Sequence, residues 1–571
     1  MEELIDSFMN MKIFTLALIT SIFALSCAEK EYESPIKGND WMLVEKQYTI
    51  YTHDELTITP TYSSANVNNY NFVWTVEDTG IVKIVKDYNT SITIVGLNPG
   101  QTRIKVECPG ESKRLSANFS VLVEQSPLRI LAIGNSFSQD AVEQYLWNLL
   151  NAAGIKSVIG NMYIGGCSLE KHWSNAQNNS ASYEYRKVVE GTMTNNGSTS
   201  LATALKDERW DYISLQQVSG LSGQYDTYKP YLLNMIDYVT SMATNEFMQL
   251  MFHQTWAYSS DSNHADFPKY DRNQMTMYNA IIAATNQAMQ EHSQLKIMLP
   301  VGTAIQNGRT SYIGDTFNRD GYHLETTYGR YTAACVWFET ITGQSVVGNS
   351  FVPSTLNPTY AAIAQNAAHL AVQNPRSVTA MTDFSLKAVF MGDSITENWN
   401  KASTGNPDFF TTNLYKGKGV SGQTTSQMLG RFDTDVVALA PKCVVICGGT
   451  NDIAGNQGVV TDQSIVDNIS AMAAKADAAG IKVILASILP CNRYYWKPEM
   501  KPAERIISVN AMIKALAEEK GYAYVDYHTP MKAEDGSLPE KYTSDGCHPI
   551  KAGYTVMESI VVPVIENVLK Q

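Results

Sequence analysis

The chain is short of charge. Only 17% of its residues are Asp, Glu, Lys or Arg, against 44% hydrophobic, which excludes an intrinsically disordered protein. Positive charge is scarcest: 43 Lys and Arg against 56 Asp and Glu leave a net −13. A surface of that sign repels phosphate backbones, so no nucleic-acid partner is expected. Cysteine is sparse, with eight in 571 residues and no C-x-x-C pair, so the spacing of zinc sites and dithiol redox sites is missing. With Cys27 set aside, the remaining seven cannot all pair, and most read as small buried hydrophobes. His253 and His264 form no recognisable metal set, and neither metal nor cofactor is expected. Beyond the N-terminus no segment reads as long and apolar enough for a bilayer span, nor as a long apolar lid.

What is present begins with an export signal. Met11-Lys12 precedes an apolar run, Ile13 to Leu25, and then Ser26-Cys27. That is a basic region, a hydrophobic region and a small residue before a cysteine. The arrangement resembles a bacterial lipoprotein cleavage site, with Ala24 where that motif usually has Leu. The resemblance implies that residues 1–27 are a signal peptide and that Cys27 carries the lipid. It implies an exported protein anchored in the bacterial envelope, at the cell surface or facing the periplasm, with the membrane as a partner through that anchor alone.

A chain of 571 residues is too long for one hydrophobic core and predicts three or four units at roughly 100–200 residues each. Residues 31–125 carry short runs rich in Val, Ile, Thr and Tyr, among them NFVWTVED, SITIVGL and TRIKVEC. Strands at this spacing predict a β-sandwich. The run ITIVGLNPGQTRIKVEC resembles the repeat of bacterial Ig-like domains. After Pro127 apolar strands alternate with helical stretches, predicting mostly parallel sheets covered by helices on both faces. This α/β pattern runs over 128–375, pauses in a linker near 375–384, and resumes over 385–571. The two stretches read as a diverged internal repeat: RILAIGNSFS aligns with KAVFMGDSIT, DYISLQQ with KCVVICGG, LKIMLPVGTAI with IKVILASILP, and RDGYHLETTYGRY with SDGCHPIKAGY, in the same order.

In the second stretch Ser394 follows an apolar strand, a place where open α/β sheets expose ligand-binding residues. A serine hydroxyl needs a base to become a nucleophile. His548 offers one, and Asp545, three residues earlier, can hold the imidazole by its other nitrogen. Gly422 offers a backbone N–H and Asn451 a side-chain amide for an oxyanion. GDSITE, GVSGQTT, GGTND and DGCHP, in that order, resemble the four blocks of the GDSL or SGNH hydrolases across 385–571. The resemblance implies a flavodoxin-like three-layer α/β fold, Ser394, Asp545 and His548 as a triad, and Gly422, Asn451 and the Ser394 N–H as oxyanion donors.

The first stretch carries a divergent version. Ser136 stands in GNSFSQD, Asp320 and His323 in DGYHLETTYGRY, and Gly165-Gly166 at the second-block position. Where Asn is expected the chain reads LQQVSG, so Gln217 or Gln216 stands as the candidate donor. A degenerate copy kept only for binding is the alternative for this stretch. Aromatic residues follow strands near both sites: Trp256 and Tyr258 in the first, Tyr494, Tyr495 and Trp496 in the second, with His172-Trp173 as a weaker candidate. They are expected either to stack on sugar rings or to pack beneath loops. Together these features predict a serine esterase acting on O-acyl, most simply O-acetyl, groups of a carbohydrate. A lipase, lysophospholipase or thioesterase of the same family and a glycan-binding surface protein are the alternatives.

Overall fold

The computed structural model of the protein describes residues 41–63, 67–109 and 115–571. The expected signal segment, including Cys27, lies outside the described residues.

The N-terminal unit, ending at Leu128, is built of strands. A four-stranded sheet runs Gln47–Tyr51, Ser116–Glu124, Gly100–Glu107, Val73–Val76, and a three-stranded sheet runs Glu55–Ile58, Ile92–Gly96, Val82–Asp87. Alternation drives this arrangement. Along Gly100–Glu107, Thr102, Ile104 and Val106 are buried while Arg103 and Lys105 face out. Ile50, Trp74, Ile104 and Val121 of one sheet share a core with Ile58, Ile92 and Ile94 of the other.

The second unit, Arg129–Gln571, holds both α/β stretches. Its first sheet has seven strands in the order Thr192–Thr199, Tyr183–Val189, Ser157–Tyr163, Leu128–Gly134, Tyr212–Leu215, Gln249–His253, Leu295–Leu299. The last four are parallel, and the Thr192–Thr199 and Tyr183–Val189 pair forms an antiparallel extension. Ile130, Leu131, Ala132 and Ile133 are fully buried, as a strand covered on both faces requires.

The second sheet has five parallel strands in the order Tyr415–Gly419, Ala388–Gly392, Cys443–Cys447, Lys482–Ala486, Ala523–Val525. Numbered along the chain this is the doubly wound order 2-1-3-4-5, which reverses beside Ala388–Gly392 and opens a crevice at that strand's carboxyl end. Helices Thr425–Asp435, Asp462–Ala478 and Ala503–Lys520 pack side by side. Another helix, Lys551–Lys570, closes the chain. Its length and mean hydropathy of 1.2 would suit a membrane span, contrary to the expectation that no segment beyond the N-terminus is long and apolar enough; here Tyr554, Met557, Val561, Ile565 and Val568 are buried in the core beneath the sheet.

The linker is tied down rather than free. Pro375 accepts from Thr303 Oγ1 at 2.9 Å, Thr379 N donates to Asn307 at 2.7 Å, and Met381 N donates to Thr310 at 2.9 Å. Tyr312 then bridges onward, donating its hydroxyl to the Tyr415 carbonyl on the edge strand of the second sheet at 2.9 Å.

Candidate active site

Each sheet carries a serine at the carboxyl end of a central strand. In the second, Asp393 caps helix Ser394–Trp399 by accepting from Ile395 N at 3.0 Å. That cap turns the chain sharply and places Ser394 on the first helical residue. Its Oγ lies 3.0 Å from His548 Nε2, and His548 Nδ1 lies 2.7 Å from Asp545 Oδ2. The three-residue spacing works because the loop curls on itself. Asp545 Oδ1 accepts from the backbone N–H of Cys547 (2.9 Å) and His548 (2.7 Å), while Thr543 Oγ1 donates to the His548 carbonyl at 2.7 Å. Burial pushes the Asp545 carboxyl up, but these backbone and imidazole hydrogen bonds outweigh it and hold the group below the usual carboxylate range. An ionised Asp545 fixes the imidazole with Nδ1–H toward the carboxylate and leaves Nε2 free to accept the serine proton.

The first sheet repeats the arrangement. Asn135 caps helix Ser136–Val142 by accepting from Phe137 N at 3.0 Å. His323 Nε2 lies 2.9 Å from Ser136 Oγ, and His323 Nδ1 lies 2.7 Å from Asp320 Oδ2. Asp320 Oδ1 accepts from His323 N at 2.8 Å and Tyr322 N at 3.2 Å. As with Asp545, burial raises its carboxyl, and the His323 and backbone hydrogen bonds bring it below the usual range.

With two such triads at matching places, sequence likeness becomes informative. Residues 129–371 match the family described as a domain of unknown function, DUF4886, and residues 390–556 match the GDSL-like lipase/acylhydrolase family. The chain belongs to both families, in tandem. A DUF4886 family protein from Bacteroides uniformis is 50% identical over 46% of this chain and 100% of its own, with a TM-score of 0.45. A GDSL-like lipase from Bacteroides thetaiotaomicron is 42% identical over 34% of this chain and 95% of its own, with a TM-score of 0.32. The assignment rests on these identities. No curated protein matches the chain.

The DUF4886 and GDSL domains form the second-block turn alike. Gly166 (φ 64°) and Gly422 (φ 77°) both take the left-handed conformation, and each stands two residues before the cap of a following helix, Ser168 and Thr424. In the GDSL domain Asn451 is 4% exposed. Its Nδ2 donates to the Gln423 carbonyl at 3.0 Å, with Asp393 Oδ2 at 3.4 Å. Asp393 itself is pushed up to about 6, chiefly by burial.

The DUF4886 domain departs at this point, and the expectation for Gln217 fails. Its amide nitrogen donates to the carbonyl and hydroxyl of Thr227 (3.2 and 3.1 Å), and its oxygen accepts from Leu169 N and Val218 N. Both amide hydrogens are thus committed to loop structure. Gln216 instead donates to Asn135 Oδ1 at 2.9 Å and faces His253 Nδ1 at 2.9 Å.

The aromatic candidates divide. Trp256 is fully buried, stacked on Phe137 with centroids 4.0 Å apart, and donates to the Tyr322 carbonyl at 2.7 Å. It props the His323 loop and has no face for a sugar. Tyr258 is equally buried, with its hydroxyl 3.0 Å from Ser219. His172 is buried against Tyr183 at 2.8 Å. Tyr494 is buried too and forms a base for Trp496, with centroids 4.8 Å apart. Trp496 is half-buried and Tyr495 is 60% exposed; their rings lie 6.0 and 6.4 Å from His548. Lys497 donates to the Ala454 carbonyl and pins this loop beside the Asn451 segment.

Sequence reasoning missed a clamp. Asp140 lies one turn beyond Ser136, with its side chain 0% exposed. It accepts from Arg319 Nη1 at 3.2 Å, Arg330 Nε at 2.8 Å and Leu324 N at 2.8 Å. Arg319 and Leu324 bracket Asp320–His323, so one carboxylate ties the nucleophile's helix to the acid–base loop. The available signal was an acidic residue four places after the serine, matched by arginines on both sides of DGYH. In the GDSL domain Tyr554 does the equivalent, donating to the Ile395 carbonyl at 2.8 Å.

Proposed function

We propose that this protein is an exported serine esterase that removes O-acyl groups, foremost acetyl, from carbohydrate at two Ser-His-Asp sites. The observation that carries the reading is the hydroxyl–imidazole–carboxylate chain of the GDSL domain, 3.0 and 2.7 Å in its two links. His548 takes the Ser394 proton as the oxygen attacks the ester carbonyl, and Asp545 stabilises the imidazolium. Collapse expels the alcohol, protonated by Nε2, and leaves an acyl-enzyme that water, activated by the same imidazole, then hydrolyses. Backbone N–H groups of Ser394 and Gly422 stabilise the oxyanion, joined by the Asn451 N–H that is held only loosely by Asp393 Oδ2, at 3.4 Å. Ser136, His323 and Asp320 run the same sequence in the DUF4886 domain.

The substrate class follows from where the alcohol must sit. His548 protonates the leaving oxygen, so the leaving alcohol lies on its side of the site, beside Tyr495 and Trp496. Flat, partly exposed aromatic faces suit a pyranose ring better than a flexible lipid chain. The strands before Leu128 act as an Ig-like spacer or interaction module, and the Cys27 lipid holds the enzyme at the envelope, where acylated polysaccharide is met.

Acetate release from acetylated oligosaccharides, beside hydrolysis of long-chain esters and a lysophospholipid, tests this reading. Preference for the oligosaccharides is expected, and Tyr495→Ala with Trp496→Ala raises their KM several-fold while sparing a small alkyl acetate. Preference for the long-chain esters would overturn the carbohydrate assignment.

A further inference from the structure

Asn451 has no counterpart in the DUF4886 domain. Leu215 pairs with Ile133, and Ile446 with Met391, at matching places in the two sheets. Five residues beyond Ile446 stands Asn451; five beyond Leu215 stands Gly220. Glycine offers no amide there, and a Cβ on Gly220 would lie 2.0 Å from Asp266 Oδ2, so any side chain at this place would have to displace Asp266.

The amide has a substitute one block earlier. Asn135, the residue before the nucleophile, is 1% exposed. Its Nδ2 donates to the Cys167 carbonyl at 3.0 Å, the carbonyl immediately after Gly166. Asn451 Nδ2 makes the same contact with the carbonyl after Gly422, also at 3.0 Å. Each amide therefore anchors the second-block turn. The orientation of the Asn135 amide is determined by its partners. Its Oδ1 accepts from both Phe137 N and Gln216 Nε2, so the nitrogen must face Cys167. Gln216 is oriented in turn by His253 Nδ1. It packs under the strand end, where a Cβ on Gly134 would lie 2.8 Å from its Oε1.

We propose that the Asn135 carboxamide is the side-chain oxyanion donor of the DUF4886 site, using the N–H not given to Cys167, and that Gln216 and His253 position it. The amide of the third block in GDSL domains has in effect moved to the first: Asp393 with Asn451 in one domain, Asn135 backed by Gln216 in the other. This rests on the reading of Ser136 as an esterase nucleophile.

The test uses the protein with Ser394→Ala, so that Ser136 alone turns over 4-nitrophenyl acetate and takes up a fluorophosphonate. Asn135→Asp and Asn135→Ser are then added. Both residues cap a helix about as well as Asn, but neither presents an amide. A drop in kcat of about 10²–10³-fold with KM held within a few-fold is expected, together with unchanged hydrogen-exchange protection of Ser136–Val142. Gln216→Glu, which can accept from His253 but not donate to Asn135, lowers kcat by a smaller factor at the same KM. Turnover kept in either Asn135 variant, or lost only in step with exchange protection, overturns the proposal while the esterase reading stands. Absence of both turnover and fluorophosphonate uptake in Ser394→Ala alone sinks the esterase reading of this domain, and the proposal with it.

Discussion

Asp140→Asn should weaken the first domain and its catalysis together while leaving the second site intact. The carboxylate is fully buried and faces two guanidinium groups, with Arg319 33% and Arg330 20% exposed at the side chain. Removing one partner of a buried ion pair costs about 3–5 kcal/mol, and the partial exposure of both arginines brings this to roughly 2–3 kcal/mol. The new amide also turns a donor toward Leu324 N or an arginine, where the carboxylate had only accepted. For a domain of this size the melting temperature falls by roughly 5–10 °C. Because Arg319 and Leu324 flank Asp320 and His323, the imidazole loses its fixed approach to Ser136. In a Ser394→Ala background kcat for 4-nitrophenyl acetate drops by about tenfold or more at temperatures where the domain is folded. In the otherwise unaltered protein, Ser394 labelling by a fluorophosphonate keeps its rate. An Asp140→Asn protein with unchanged melting and unchanged Ser136 turnover would refute the clamp.

Two further outcomes are expected. His172 and His253 are buried and held down to about 3, so below pH 6.5 the unfolded chain binds protons that the native state refuses. Stability of the first α/β domain then falls as pH drops from 7 toward 3, by about 2 kcal/mol per histidine between pH 7 and 5. Urea unfolding followed by hydrogen exchange in peptides from 129–371 reads this, and His172→Gln should remove about half of the histidine-dependent loss; an identical loss in the variant contradicts it. Gly422→Ala meets no neighbour within 4 Å, yet its φ of 77° strains any side chain by about 1–2 kcal/mol. It should lower Ser394 turnover through a displaced N–H and lower the melting temperature by roughly 2–8 °C, and full activity would remove Gly422 from the oxyanion hole.

The triads were legible in the sequence because their demands are local. An Asp three residues before a His can curl into a hydrogen-bonded loop, and a serine after an apolar strand sits at a sheet edge wherever the strand is central. Strand identity was legible for the same reason: runs such as LRILAIG and KAVFMG have no polar face and must be buried. The donor in the DUF4886 site was not legible. Choosing between Gln216 and Gln217 needs the partners of each amide, and Thr227, Leu169 and His253 come from separate segments. Sequence alone leaves Trp256 and Tyr258 open between stacking on a sugar and packing beneath a loop, because an aromatic residue after a strand reads the same whether its ring faces solvent or, as here, packs against Phe137 and Ser219. Asp140 escaped notice because its meaning lies in two arginines nearly 200 positions away.

The most direct test of the whole account is 4-nitrophenyl acetate hydrolysis by the protein beside Ser136→Ala, Ser394→Ala and the double variant. The account predicts that each single variant keeps part of the rate and the double keeps none. Full activity in the double variant would contradict the assignment of both serines as nucleophiles.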